Sequence, residues 1–155
     1  QTGMLKSKKI LRMSGKSTQY AALCYRKRKG KSCEILLITS RKSGRWIPPK
    51  GWPMDGKSPE AAAAQEAFEE AGVKGEVHDI SLGRYRYKRE NGDSGKPSSE
   101  AFIFPLKVKK QSKKFKEKGQ RKVRWFSPKK AAMLVREPKR KKIIREFDPE
   151  LLKAG

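Results

Sequence analysis

Residues 51–73 read GWPMDGKSPEAAAAQEAFEEAGV, and this stretch decides how the chain folds. Ser58 is an N-cap type. Pro59 stands at the first helical position, where its missing N–H costs nothing, and Glu60 sets negative charge on the helix's positive end. Ala61 to Ala64 are the strongest helix formers. Gly72 is a C-terminal stop that tolerates positive φ. These signals predict a helix over about Pro59 to Ala71. Projected at ~100° per residue, Glu66, Glu69 and Glu70 fall on one side at spacings i, i+3 and i+4. Ala61, Ala64, Ala67, Phe68 and Ala71 take the other side, whose small bulk lets it pack close against a sheet. A like-charged i, i+4 pair such as Glu66 and Glu70 costs a helix roughly 0.2–0.5 kcal/mol, so something should offset it. Hard divalent cations suit such a cluster, and Mg²⁺ binds through one or two carboxylates plus substrate phosphates. A solvated acidic face is the bland alternative.

Upstream, Gln19 to Tyr25 (QYAALCY) and Glu34 to Thr39 (EILLIT) read as strands of a hairpin, joined by the charged turn RKRKGK with Gly30 as punctuation. Arg41 to Asp55 (RKSGRWIPPKGWPMD) reads as a loop. Downstream, residues 77–89, with Tyr85-Arg86-Tyr87 in alternation, and residues 101–109 (AFIFPLKVK) read as strands. Glu90 to Ser99 between them is a turn. Val123 to Phe126 is a short strand. Ser127-Pro128 repeats the cap-then-Pro signature and opens a helix to about Arg136, and a further helical pattern runs from Lys139 to Phe147. Residues 1–17 are basic without clear periodicity and read as a flexible arm or a short edge strand. Interleaved strands and helices must share one core, an α/β or α+β arrangement. The expected organisation is a basic arm at 1–17, one domain at 18–150 and a tail at 151–155.

The 155 residues are 35% hydrophobic and 36% charged, with well-formed apolar runs, which is enough for one core. No stretch approaches ~20 apolar residues, so no helical membrane span is expected. A collagen-like chain and a disulfide framework are excluded by the same composition. Cys24 and Cys33 lack CxxC spacing, and Cys24 reads as a small buried hydrophobe. With no signal-like apolar block, the expected compartment is the cytoplasm. The net charge is +24, from 40 Lys+Arg against 16 Asp+Glu. Its distribution is uneven: residues 1–57 hold 15 basic and 2 acidic side chains, residues 58–104 hold 6 and 9, and residues 105–145 hold 18 basic ones. An acidic island inside a cationic chain points to polyanionic ligands.

The stretch from Gly51 to Val73 resembles the Nudix box, G-x5-E-x7-R-E-U-x-E-E-x-G-U, where U is aliphatic. Gly51, Glu66, Glu69, Glu70, Gly72 and Val73 match it, and Ala67 is a small apolar residue at the first U. WIPPK (46–50) and AGVKG (71–75) are similar to the diphosphoinositol polyphosphate phosphohydrolase branch. The resemblance implies a Nudix-type α/β/α sandwich with a mixed β-sheet between helices. It also implies metal-dependent cleavage of a diphosphate linkage, with Mg²⁺ or Mn²⁺ as cofactor. Carried over residue by residue, the metal ligands are Glu66, Glu70 and the Gly51 carbonyl, with Glu69 a ligand or base. A general base can also come from another loop, where Glu100 and Glu90 are candidates. Lys57 and Gln65 depart from the box, which has Glu and Arg there. Losing both together leaves no unpaired ion, and Gln65 retains donors for a carboxylate.

Arg41, Arg45, Lys50 and Lys57 surround the glycine-bearing loop, and Arg84, Arg86 and Lys88 alternate along a strand. These cations are candidates to grip non-reacting phosphates. The implied substrate is a small, highly phosphorylated molecule: a diphosphoinositol polyphosphate, a dinucleoside polyphosphate or a nucleoside diphosphate derivative. Two alternatives stand beside it. Lys107 to Arg124 and Lys139 to Lys142 favour a nucleic-acid-binding or RNA 5′-end-processing protein. Lys57 and Gln65 favour a catalytically weak binding module. The one histidine, His78, reads as surface or structural. Trp46 and Trp52 read as packing or base-stacking groups beside the loop, and Trp125 as core.

Overall fold

The structure is a computed structural model that describes residues 4–30, 33–87 and 99–152. Eight strands form one mixed sheet: β1 (Thr18–Arg26), β2 (Glu34–Thr39), β3 (Trp46–Ile47), β4 (Lys50–Gly51), β5 (Val73–Val77), β6 (Gly83–Tyr87), β7 (Ser99–Gln111) and β8 (Val123–Phe126). The main order is β3-β2-β1-β7-β5, with β4 also on β1, β6 on β7 and β8 on β2. The β1–β7 pairing is parallel and the others are antiparallel. The helices are α1 (Ser7–Met13), α2 (Pro59–Ala71), α3 (Pro128–Leu134) and α4 (Pro138–Arg145), followed by a short 3-10 turn, Pro149–Leu152.

The layering follows from period-2 alternation along β1, which is buried on both faces. Tyr20, Ala22 and Cys24 join Ile10 of α1 and Ala62, Ala63, Ala67 and Ala71 of α2 in one core. Ala21, Leu23 and Tyr25 join Ala131 and Ala132 of α3 and Ile144 of α4 in the other. The expected α/β/α sandwich is therefore observed. Lys141 ties α4 to α3 by donating from Nζ to the carbonyls of Ala132 and Met133, at 3.1 and 3.3 Å.

Four readings need correction. Residues 7–13 form a helix, not an arm or edge strand, because Ile10 anchors them and Ser7 N–H donates to Asp79 O at 2.8 Å. Residues 77–89 do not make one strand. VKGEV (73–77) forms an irregular β5 that its Gly, Lys and Glu disguised, and β6 begins only at Gly83. Trp125 is half-buried rather than core, with Arg26 stacked 4.1 Å from its ring centre and its Nε1–H donating to Gln111. The packed stripe of α2 is Ala62, Ala63, Ala67 and Ala71, which draws Glu70 inward with it. The turn read at 90–98 lies outside the described residues.

Gly72 ends α2 at φ 76°, as expected of a left-handed cap. A Cβ there would stand 2.6 Å from the Phe115 ring and 2.6 Å from the Ser112 carbonyl. Gly72→Ala therefore adds left-handed strain to a clash, and should cost about 2–4 kcal/mol in urea unfolding. An unchanged midpoint would show that the 112–115 segment does not pack against this cap.

Candidate functional site

Helix α2 carries the acidic cluster, and its stripe of alanines fixes how deep the cluster lies. Glu70 stands three residues after Ala67 and seven after Ala63, so it shares the buried stripe and is only 5% exposed. Lys50 N–H of β4 donates to Glu70 Oε1 at 3.2 Å. A side chain at neighbouring Gly51 would overlap the Glu66 carboxyl, so only glycine allows this approach. Lys50 and Gly51 are neighbours on β4, so the Glu66 and Glu70 carboxyls lie side by side. Burial, then the neighbouring Glu66 carboxyl, pushes Glu70 well above the ordinary carboxyl range, and the Arg121 charge opposes the rise. Burial also raises Glu66, and its interaction with Glu70 works against the rise. Glu69 turns aside: its Oε2 accepts from Gln65 Nε2 at 2.8 Å, and its Oε1 lies 3.8 Å from Lys116 Nζ.

The segment after β7 closes over the carboxylates. Ser112 N–H donates to Gly72 O at 2.7 Å and Glu117 N–H to Glu69 O at 2.9 Å. This pins Glu117 and Arg121 beside the cluster in a largely buried ion pair of 2.8 Å, and Arg121 Nη1 also donates to Thr39 O. Sequence reasoning missed both residues, because the tract 107–124 reads only as a run of cations.

A cavity of about 490 Å³ runs from Glu70 to the α3–α4 junction. Arg41, Arg45 and Lys50 line it with Trp46 and Trp52. Gln19, Arg121, Arg136, Glu137 and Arg140 line it unforeseen. Lys57, Arg84 and Arg86 do not reach it. Lys57 is exposed, and Arg84 and Arg86 alternate with the buried Tyr85 and Tyr87, so they leave the opposite face of β6. Glu100 lies 3.6 Å from Arg84 and does not line the cavity. Lys88 and Glu90 lie outside the described residues. His78 follows β5, away from the cavity.

The NUDIX domain family model matches residues 17–147. The chain belongs to the Nudix family. Nudix hydrolase 21, chloroplastic, of Arabidopsis thaliana is 36% identical over 105 residues, 66% of this chain and 50% of that protein. Diphosphoinositol polyphosphate phosphohydrolase 3-alpha of Mus musculus is 34% identical over 89 residues, 57% of this chain and 49% of that protein. The chain spans about half the length of the curated relatives it matches. Among solved structures, the Ap4A hydrolase of C. elegans aligns with TM-score 0.61 at 24% identity, over 84% of this chain and 95% of that one. A Listeria monocytogenes NUDIX structure aligns at 0.65 and 17%, over 88% and 95%. Both support the Nudix fold.

Within this Nudix domain, the described residues contain no group of three or more Asp, Glu, His or Cys arranged to hold a metal by themselves. The donor set still fits a hard cation that arrives with a phosphorylated ligand. Two carboxylates converge where Gly51 leaves room, and Mg²⁺ uses few protein ligands when phosphates supply others. Among the described residues, no helix is long and apolar enough to cross a membrane.

The raised Glu70 has a sign that can be checked. The fold favours its neutral form, so its contribution to stability is present below the ordinary value of 4.5 and is lost as pH rises through the elevated folded value. In EDTA, the melting temperature of wild type should therefore fall relative to Glu70→Gln from about pH 4.5 upward. A difference that stays flat with pH would contradict the raised Glu70.

Proposed function

We propose that this chain is a metal-dependent pyrophosphohydrolase that cleaves a diphosphate linkage in a small, highly phosphorylated substrate. The observation that carries the reading is that Glu70, with Glu66 beside it behind Gly51, lines one end of a cavity rimmed by cations; Glu66 itself does not line that cavity. Glu66, Glu70 and the Gly51 carbonyl would hold Mg²⁺ or Mn²⁺. When bound, that ion supplies charge neutralisation of the phosphates and activation of a water molecule. A positive charge held beside Glu70 would favour its anion. Glu69 takes the ligand or base role that the resemblance implies only when its side chain swings back from Gln65 and Lys116 toward the cluster. Glu117 serves as the loop carboxylate in place of Glu100 or Glu90, and its pairing with Arg121 makes it a positioning group.

Arg41, Arg45 and Lys50 would grip the non-reacting phosphates, where guanidinium forks match phosphate oxygens. Gln65 takes over orientation of Glu69 from the arginine of the family pattern, which supports activity despite the departures at 57 and 65. The named activities of the mouse phosphohydrolase and the C. elegans Ap4A hydrolase support the substrate range. The cytoplasm remains the proposed compartment, resting on the unpaired cysteines.

The test is phosphate release from inositol pyrophosphates, dinucleoside polyphosphates, nucleoside diphosphate derivatives and 5′-triphosphate RNA, with and without Mg²⁺. Turnover of small substrates should require the ion. Glu66→Gln and Glu70→Gln should each cost at least about 100-fold in rate with unchanged circular dichroism. Metal-independent turnover, or full activity in either variant, would overturn the assignment.

A further inference from the structure

Helices α3 and α4 carry charge that the rest of the fold does not answer. Residues 128–146 hold eight basic and two acidic side chains. Two of the basic ones are used inside the helical pair. Arg140 is buried with its Nη1 2.8 Å from Glu137 Oε1, and Lys141 donates to the carbonyls of Ala132 and Met133. The other six, Lys129, Lys130, Arg136, Lys139, Lys142 and Arg145, are exposed and make no ion pair among the described residues. Elsewhere cations meet acids: Arg26 and Arg28 meet Glu34, Lys109 meets Glu76, and Arg121 meets Glu117. Local physics opposes the arrangement on the two helices. Lys129 and Lys130 occupy the first turn of α3, where a helix's positive end disfavours cations. Lys139, Lys142 and Arg145 follow one another at intervals of three along α4, a spacing at which like charges repel. Ala131, Ala132 and Ile144 sit in the core, and Lys141 ties the helices together, so the backbone positions of these cations are fixed.

We propose that the exposed face of α3 and α4 is a docking surface for the phosphate backbone of a double-stranded nucleic acid. A close row of fixed negative charges complements the unpaired cations, and its counterions are released on binding. Two other polyanions fit less well. An anionic membrane takes up a helix through an apolar face. Met133, at 65%, is the one large apolar side chain exposed on α3 and α4, while Leu134, Ile143 and Ile144 pack inward. A single strand is held by stacking its bases on aromatic side chains, and residues 128–145 contain no Trp, Tyr, Phe or His. The surface therefore engages phosphates and not bases, and carries no sequence preference. The inference goes beyond the proposed hydrolysis and does not need it: of the six cations, only Arg136 also lines the cavity.

Fluorescence anisotropy of a labelled DNA duplex of about 20 base pairs, read across a salt series with the whole chain, is the test. The helical variant combines Lys129→Gln, Lys130→Gln, Lys139→Gln and Lys142→Gln. Its control combines Lys110→Gln, Lys113→Gln, Lys114→Gln and Lys118→Gln, which removes the same charge from exposed positions elsewhere. The helical variant should weaken duplex binding at least about tenfold and lower the logarithmic salt slope by about three, while the control stays within about threefold of wild type. Unlabelled single strand and phosphatidylserine vesicles, at equal phosphate, should displace the duplex less well than unlabelled duplex does. Should circular dichroism show the helical variant unfolded, Lys139→Gln with Lys142→Gln decides, with an expected loss of at least about threefold. Equal losses in the helical variant and its control would reduce the effect to diffuse attraction by net charge and overturn the surface. No duplex binding by wild type at low salt would overturn it too, as would better competition by the vesicles or the single strand.

Discussion

The contact on which the site depends is the seating of α2 against β4. Alanines at 62, 63, 67 and 71 bring the helix close enough to the sheet that no side chain fits between Gly51 and the Glu66 carboxyl. The same closeness takes Glu70 out of water and leaves the Lys50 N–H and the Glu66 carboxyl as its partners. Ionising both carboxyls so placed is costly, and a bound cation would relieve that cost. The cost stems from packing as much as from the count of glutamates.

Around that seam, the charge is arranged in zones. The segment 112–121 is fastened to the end of α2 through Gly72 O and Glu69 O, and it delivers Arg121 to the edge of the cluster already paired with Glu117. Across the cavity, Arg41, Arg45 and Arg136 remain uncompensated among the described residues, while Arg140 is neutralised. The large net charge of +24 adds long-range attraction for anionic ligands and does not by itself choose among them.

Helix α2 and strands β2 and β8 were legible from the chain, because capping residues and short β-branched runs are local signals. The acidic triplet was legible too, since helical projection and the box pattern agree. Depth was not: projection placed Glu70 with Glu66 and Glu69 on one face, and only the choice of alanine stripe shows that Glu70 is buried and Glu69 turned away. Arg140 was opaque for a similar reason. PKRKKIIR (138–145) reads as a solvated cationic helix, and nothing local marks the one arginine that two tyrosines of β6 enclose. Arg84 and Arg86 failed because alternation shows that two residues share a face without saying which face meets the cavity.

Manganese binding tests the central claim most directly. Mn²⁺ titrated into the protein with a non-hydrolysable diphosphate analogue, and followed by electron paramagnetic resonance, should occupy a site that Glu70→Gln weakens at least about tenfold and that Lys57→Ala leaves intact. Equal Mn²⁺ affinity in wild type and Glu70→Gln would mean that the seam between Gly51 and α2 is a structural carboxyl pair and holds no ion.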